Sequence, residues 1–227
     1  MRVRTKGNIK FTDESLPQVL IDIRAYLEAE GVKIAEKVEG EGRHASLKDE
    51  GTIKRCLMTH PTFTNHVFDV PARGFGDIVV LDYDGRTKYP VNIKTSLGAS
   101  DNATSKIGLL YAFTDMTIEE LPKRMGWKRF VKLLQDRKAD IKHKDYYFLC
   151  IDKSDSSNVM IRGSKQIRCW NENANPSNLL QIHWGKEKAS TSVDRTYEEA
   201  YEVIINGIAR CFAKHHKNLP IEWTNTF

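Results

Sequence analysis

The segment FGDIVVLDYDGRTKYPVNIKTS, residues 75–96, constrains the fold more than any other part of the chain. Its two apolar runs flank Asp84 and Gly85, a dipeptide that is a strong signal for a tight turn between antiparallel strands. After the turn, apolar and polar residues alternate from Tyr89 to Ile93, which is the period of a half-buried strand. The segment therefore predicts a β-hairpin at the core of a sheet.

Polar residues interrupt this hairpin. Asn92 and Lys94 are two residues apart and point to the same side of their strand. Asp77, at the start of the first strand, is expected roughly opposite Lys94 if the hairpin centres near Gly85. A carboxylate supplies hard oxygen to Mg²⁺, which also takes water and phosphate oxygens, and a neighbouring lysine can hold the attacking water. The group predicts a Mg²⁺ site that handles phosphate, with no small-molecule cofactor.

The rest of the chain mixes helical and strand patterns. Helices are predicted over residues 13–31, 52–60, 107–116, 127–141 and 194–218, and strands over residues 145–153, 158–163 and 179–185. Residues 38–51 form a polar, glycine-containing stretch that precedes the second of these helices. We therefore expect one α+β domain over residues 1–227, with a central mixed β-sheet flanked by helices.

Composition narrows the class of protein only slightly. Hydrophobic residues make up 40% of the chain, and no stretch approaches the roughly 18 apolar residues that a membrane helix needs. The basic N-terminus lacks a following apolar run, so no signal peptide is expected. The four cysteines form no C-x-x-C pair, which predicts free thiols in a reducing cytoplasm. The net charge of +5 permits a polyanionic partner without requiring one.

The hairpin resembles the catalytic hairpin of the PD-(D/E)XK nucleases, in which an Asp begins one strand and D/E-x-K ends the next. The resemblance is carried by GDIVV at residues 76–80 and VNIKT at residues 91–95. The following small-residue loop and helix, KTSLGASDNATSKIGLLYAF, make it closest to the blunt-cutting Type II restriction endonucleases of the EcoRV and HincII branch. It implies a PD-(D/E)XK core and Mg²⁺-dependent double-strand cuts in DNA at a specific palindromic site. The ends would be blunt, with 5′-phosphate and 3′-hydroxyl groups.

The resemblance assigns roles to the polar residues of the hairpin. Asp77 matches the first metal-binding Asp, and Lys94 matches the catalytic lysine. Asn92, the second metal ligand, stands where the family usually has Asp or Glu. An amide oxygen can bind Mg²⁺ but brings no charge. This departure from the family pattern predicts weaker metal binding or a further acid.

Glu50 is the candidate for that further acid. It is expected to begin the helix ahead of the hairpin, and a Glu on this helix often faces the site in this branch of the family. Asp82 and Asp84 are the alternatives, although the Asp-Gly turn accounts for Asp84 without a function.

Two polar loops, about residues 96–106 and 163–178, are the candidate DNA-recognition segments. They are rich in small donors that can approach phosphates and in Asn, Gln and Arg, which pair with adenine and guanine edges. The candidate DNA-binding residues are Ser100, Asn102, Thr104, Ser105, Lys106, Lys165, Gln166, Arg168, Asn171 and Asn173. A palindromic target implies a homodimer on double-stranded DNA, in a prokaryotic cytoplasm.

Two other functions are open at this stage. A repair endonuclease or junction resolvase of the same fold would cut by DNA structure or damage rather than by sequence. A catalytically decayed, sequence-specific DNA-binding protein is motivated by the missing charge at Asn92.

Overall fold

The computed structural model describes residues 10–11, 16–32, 42–70, 76–96, 101–141, 143–172, 180–188 and 193–215. Its helices within these ranges are α1 (Gln18–Glu30), α2 (Gly42–Thr59), α3 (Lys106–Phe113), α4 (Trp127–Asp136), α5 (Trp184–Lys188) and α6 (Tyr197–His215). Its strands are β1 (Lys10–Phe11), β2 (Val67–Asp69), β3 (Ile78–Leu81), β4 (Lys88–Ser96), β5 (Asp101–Ala103), β6 (Tyr147–Asp152), β7 (Val159–Gly163), β8 (Trp170–Glu172), β9 (Leu180–His183) and β10 (Val193–Asp194).

A five-stranded sheet forms the centre of the molecule, in the order β2-β3-β4-β6-β7. Strands β4 and β6 are parallel and the other neighbours are antiparallel. The crossover that a parallel pair requires contains α3 and α4. All six residues of β6 are buried, as expected for a central strand. The predicted α+β architecture with a central mixed sheet flanked by helices is confirmed.

Each face of this sheet is covered by a separate apolar cluster. On one face, α1 and α2 pack against residues such as Val91, Ile93 and Leu149. On the other face, α3, α4 and α6 pack against Phe148 and Cys150. The alternation of strand residues thus divides the core in two, because successive side chains of a strand point to opposite faces. Strand β4 contributes the apolar residues Val91 and Ile93 to the first cluster. Its residues Asn92 and Lys94 point to the opposite face of the sheet.

The predicted hairpin is confirmed as β3 and β4, joined by residues 82–87. Gly85 takes a positive φ of 68°, a conformation that favours glycine. The Asp84 carboxylate accepts hydrogen bonds from the backbone nitrogens of Arg86 and Thr87, at 2.7 and 2.8 Å. The turn is therefore closed by Asp84.

Two expectations about local structure were wrong. Helix α2 begins at Gly42, so much of the polar stretch 38–51 is helical. A buried acid hides this pattern, because Asp49 lies in register with Ile53 and Leu57 on the face that packs inward. The two polar loops also contain strands, since β5 and β8 pair with opposite edges of β9 in a small antiparallel sheet.

Two expectations drawn from composition can be compared with the structure. None of the described helices has both the length and the apolar character needed to cross a membrane. The four cysteines carry free thiols, as expected.

Candidate active site

Asp77 lies immediately before β3 and is held by the second strand of the hairpin. Its backbone nitrogen donates to the Val91 carbonyl at 2.9 Å. Its side-chain Oδ2 accepts a hydrogen bond from the backbone nitrogen of Ile93 at 2.7 Å. The carboxylate is therefore fixed at the end of the hairpin before any ligand is bound.

The register of the hairpin differs from the predicted one. Ile78 pairs with Val91, so Asp77 lies beside Asn92 and not directly opposite Lys94. The difference arises because the turn centres on the Asp-Gly dipeptide rather than beyond it. Asp77 Oδ2 still lies 3.9 Å from Lys94 Nζ.

Glu50, on α2, completes a group around Lys94. Its Oε1 lies 3.6 Å from Lys94 Nζ. The side chains of Lys94, Glu50 and Asp77 are 20%, 17% and 22% exposed, so all three are accessible but largely shielded. We call Glu50, Asp77, Asn92 and Lys94 the hairpin site.

The carboxylate of Asp77 disfavours the charged form of Glu50. Burial raises the pKa of Glu50, the Lys94 ammonium opposes this rise, and the Asp77 carboxylate adds to it. Two carboxylates that share one ammonium retain a net negative charge. A bound cation would relieve both the repulsion and the desolvation.

The side-chain oxygen of Asn92 has no hydrogen-bond partner among the described residues. This atom, Oδ1, is buried. An unpaired buried polar atom costs about 1–3 kcal/mol, so most such atoms have a partner. Two carboxylates and one amide oxygen are hard donors of the kind that Mg²⁺ binds, and its remaining ligands would be water and phosphate oxygens. The residues present therefore fit Mg²⁺, although the described residues contain no cluster of three or more His, Cys, Asp or Glu suited to a metal.

Asp82 and Asp84, the alternatives to Glu50, are engaged at the turn. Asp82 accepts hydrogen bonds from the Tyr89 hydroxyl at 2.6 Å and from the Tyr83 backbone nitrogen at 2.8 Å. Asp84 closes the turn, as described above. Both lie at the end of the hairpin that is remote from Asp77, and they stabilise it.

Sequence reasoning missed a buried ion pair behind the hairpin site. Asp49, which precedes Glu50 on α2, is 1% exposed. Its Oδ2 lies 2.5 Å from Lys153 Nζ and 3.4 Å from Thr95 Oγ1. The pair ties α2 to β4 and to the segment after β6, and so positions Glu50. No local motif reveals it, because its members are distant in sequence.

Three candidate DNA-binding residues lie at the start of α3. Ser105 caps the helix, accepting a hydrogen bond from the Gly108 nitrogen at 3.3 Å. Lys106 Nζ lies 4.6 Å from the centre of the Trp127 ring, and burial lowers the pKa of this lysine. Thr104 is buried, and its Oγ1 has no hydrogen-bond partner within the described residues. Each of these side chains is thus at least partly committed to the fold.

Lys165 and Gln166 require a correction, because both are buried rather than displayed on a loop. Lys165 Nζ donates to the Lys144 carbonyl at 2.9 Å. Gln166 Oε1 accepts from the Gly163 nitrogen at 2.7 Å. A side chain held in this way cannot reach a base edge unless the turn rearranges, so both residues are structural.

Asp145 organises the same turn. Its carboxylate accepts hydrogen bonds from the backbone nitrogens of Ser164 and Lys165, at 3.0 and 3.1 Å, and from the Ser164 hydroxyl. Burial raises the pKa of Asp145, and the Lys165 ammonium opposes the rise. We call Asp145, Ser164, Lys165 and Gln166 the turn cluster.

The other candidate DNA-binding residues fall into two groups. Arg168 is exposed, and Asn171 on β8 is half-buried and pairs with Gln181 of β9. Ser100, Asn173 and the side chain of Asn102 lie outside the described residues.

Comparison of the sequence with family models and curated proteins identifies no relative. No protein-family model matches the chain, and no curated protein is significantly similar to it in sequence. The functional argument therefore rests on the geometry of the hairpin site and on the sequence resemblance of the hairpin.

Proposed function

We propose that the protein is a Mg²⁺-dependent endonuclease with a PD-(D/E)XK core, which cuts both strands of duplex DNA at a specific site. The observation that carries the proposal is the hairpin site. Lys94 lies between the carboxylates of Asp77 and Glu50, and the neighbouring Asn92 has a buried amide oxygen without a partner in the part of the chain that the structure describes. These residues are scattered along the chain, and the fold brings them to one end of the hairpin.

Asp77, Asn92 and Glu50 would hold the metal through their side-chain oxygens. Bound Mg²⁺ supplies positive charge that stabilises the phosphate in the transition state. Glu50 would provide the negative charge that Asn92 lacks, which accounts for the departure from the family pattern. Its contact with Lys94 shows that its side chain reaches the hairpin site.

Lys94 would position the attacking water through its ammonium group and stabilise the negative charge that develops, and the proton of the water would pass to solvent. The water oxygen forms a bond to phosphorus, and the bond from phosphorus to the 3′ oxygen breaks. The proton that the 3′ oxygen takes up comes from solvent. The products are a 5′-phosphate and a 3′-hydroxyl.

A palindromic target would be read by a homodimer, with each subunit cutting one strand. Arg168 and Asn171 would contact the DNA, because the exposed Arg168 lies beside the small sheet to which each candidate recognition segment contributes a strand, and the half-buried Asn171 lies on it. A blunt cut is the proposed outcome and follows from the resemblance alone.

Digestion of phage λ and plasmid DNA with the purified protein and Mg²⁺ tests the proposal. Discrete fragments are expected, and they should disappear with EDTA or with the Lys94→Ala variant. Sequencing the ends of the fragments gives the target and the cut position. Intact DNA in every reaction, with folded protein, would overturn the enzymatic function. Cutting that depends on branches or lesions would instead indicate a repair enzyme.

Asn92 favours a second candidate, a sequence-specific DNA-binding protein whose nuclease site has decayed. An amide in place of a carboxylate weakens metal binding, which is one route by which such a site loses activity. This candidate predicts specific DNA binding in Mg²⁺ without cleavage, and recovery of cleavage in the Asn92→Asp variant.

A further inference from the structure

The start of α4 and the residues just before it concentrate positive charge at the surface. Residues 123–129, KRMGWKR, contain four cations and no acid, a net charge of +4, whereas the whole chain of 227 residues has a net charge of +5. The four cations are Lys123, Arg124, Lys128 and Arg129, and all are exposed. We call these four residues the basic patch.

Apolar neighbours fix the basic patch to the core. Met125 and Trp127, which lie between the two pairs of cations, pack against the cluster that contains Phe130 of α4. The Trp127 ring also meets Phe212 of α6 edge-on, at a centroid distance of 4.6 Å. The backbone that carries the cations is therefore held in place, while their side chains face solvent.

The positive charge does not favour the helix that carries it. Lys128 and Arg129 lie in the first turn of α4, where the helix dipole disfavours cations. Two acids of the link between α3 and α4, Asp115 and Glu120, pair with Arg137 at the opposite end of α4, at 2.5 and 3.4 Å. A polyanion bound to the basic patch would offset both the dipole and the repulsion between like charges.

The basic patch lies beside one of the candidate recognition segments. Segment 96–106 ends at Lys106, whose Nζ lies 4.6 Å from the centre of the Trp127 ring. Helices α3 and α4 also cover the face of the sheet to which Asn92 and Lys94 point. A duplex that contacts this segment would continue past it, with a phosphate at every nucleotide of its backbone.

We propose that the basic patch binds the phosphate backbone of duplex DNA that flanks the recognised site. The choice of DNA as the partner rests on the proposed function, whereas the charge, exposure and anchoring of the patch do not. Contacts to phosphates carry no sequence information, so the patch would increase the affinity for any duplex. The DNA-contacting surface then extends beyond the hairpin site and the small sheet.

Paired neutral substitutions in the full chain test this surface. Lys128→Gln with Arg129→Gln is compared with Arg55→Gln with Arg86→Gln, a control that changes the net charge equally at exposed positions on α2 and in the hairpin turn. Binding to a random-sequence DNA duplex is measured by fluorescence anisotropy in EDTA, at several salt concentrations.

The measured quantity is the slope of the logarithm of the binding constant against the logarithm of the salt concentration. Since each phosphate contact contributes about 0.9 to this slope, we expect the substitutions at Lys128 and Arg129 to reduce it by about 1.8. The control should retain the wild-type slope, because Arg55 and Arg86 lie outside the basic patch.

Lys123→Gln with Arg124→Gln gives an independent measurement from the other half of the basic patch. It should reduce the slope by a similar amount. Thermal unfolding shows whether each variant is folded, and the melting temperatures should change little because the substituted side chains are exposed.

The possible outcomes separate this surface from the nuclease. An unchanged slope in both patch variants would overturn the proposal, and so would an equal decrease in the control, since that indicates a general effect of net charge. A loss confined to double-stranded RNA of the same length would overturn the assignment to DNA. If DNA is bound through the basic patch but is never cut, the nuclease proposal fails and the surface stands. Cleavage with an unchanged slope would instead remove the surface and leave the nuclease.

Discussion

The hairpin site and the turn cluster are both polar groups in the interior of one domain, and they differ in how far their polar atoms are satisfied. In the turn cluster, Asp145 accepts several hydrogen bonds and the Lys165 ammonium donates to the Lys144 carbonyl. In the hairpin site, two carboxylates share one ammonium and the amide oxygen of Asn92 has no partner among the described residues.

This difference separates a structural cluster from a candidate binding site. Satisfied polar groups stabilise a single conformation, because hydrogen bonds inside the protein offset the free energy of desolvating each buried donor and acceptor. Unsatisfied groups raise the free energy of the unliganded protein. A ligand that pairs with these groups can lower it. Both segments contain lysine and amide side chains, so residue type alone does not distinguish them.

Lys94→Ala should have the largest effect on activity. Removal of one donor that stabilises developing charge in the transition state typically slows a reaction by about 10²–10³-fold. Stability should change little in Mg²⁺, because the metal replaces the lost positive charge. Plasmid cleavage rates measure the effect, and Lys132→Ala, an exposed lysine on α4, is the control. A variant with unchanged cleavage would remove Lys94 from the mechanism.

Asp145→Ala should have the largest effect on stability. It leaves the buried nitrogens of Tyr146 and Lys165 and the hydroxyl of Ser164 without their acceptor. We expect the free energy of unfolding to fall by about 3 kcal/mol, as for other buried networks that lose one member. Chemical denaturation measures the change. The control is Asp155→Ala, which removes similar bonds to Ser157 at the surface and should leave stability nearly unchanged.

Asn92→Asp should strengthen metal binding. The substitution adds a negative charge beside Asp77, and we expect the Mg²⁺ concentration for half-maximal cleavage to fall by about tenfold, or ~1.4 kcal/mol. Without metal, the same charge should lower the melting temperature, because it increases repulsion in the hairpin site. Titration of cleavage with Mg²⁺ tests the first effect, and an unchanged titration would exclude Asn92 as a ligand.

The Mg²⁺ requirement should depend on pH through Glu50. Its pKa is raised in the folded protein, so a proton competes with the metal at pH values above the ordinary range for Glu, which is about 4.3. Metal binding should therefore weaken as pH falls from neutral, whereas the metal-free protein becomes more stable as Glu50 is protonated. The Mg²⁺ concentration for half-maximal cleavage, measured from pH 5 to 8, should vary less with pH in Glu50→Gln than in the wild-type protein. An equal pH dependence in the two proteins would contradict this role of Glu50.

Arg168→Ala should have the smallest effect, confined to DNA binding. Arg168 is exposed. Loss of one phosphate contact reduces, by about one, the slope of the logarithm of the DNA-binding constant against the logarithm of the salt concentration. Fluorescence anisotropy at several salt concentrations measures this slope. Lys165→Met provides the contrast, because a buried lysine should affect the melting temperature and not the slope. The comparison would fail if the two variants behaved alike.

Much of the fold could be predicted because its elements have strong local patterns. The Asp-Gly turn, the apolar β6 and the helical spacing in α1 are each visible over a few residues. Helix α2 was harder, because Asp49 occupies an inward position where an apolar residue is expected. Its ion pair with Lys153 depends on tertiary contact, which local patterning does not contain.

The candidate site could be predicted in part for the same reason. Asp77, Asn92 and Lys94 belong to one hairpin, so their proximity follows from strand pairing. Glu50 could be suggested only by family resemblance, because no local motif marks it. Lys165 and Gln166 were misassigned because a polar turn sequence has the same composition whether it is buried or exposed.

The ion pair between Asp49 and Lys153 has a consequence for the timing of activity during synthesis. Glu50 is fixed by its neighbour Asp49, whose partner lies on the segment that follows β6. A growing chain contains Asp77, Asn92 and Lys94 well before Lys153 leaves the ribosome. Contacts between distant residues form late in folding, since closing long loops is entropically unfavourable. An unfinished polypeptide would therefore lack a fixed Glu50, and the proposed nuclease site would not be complete until translation has passed β6.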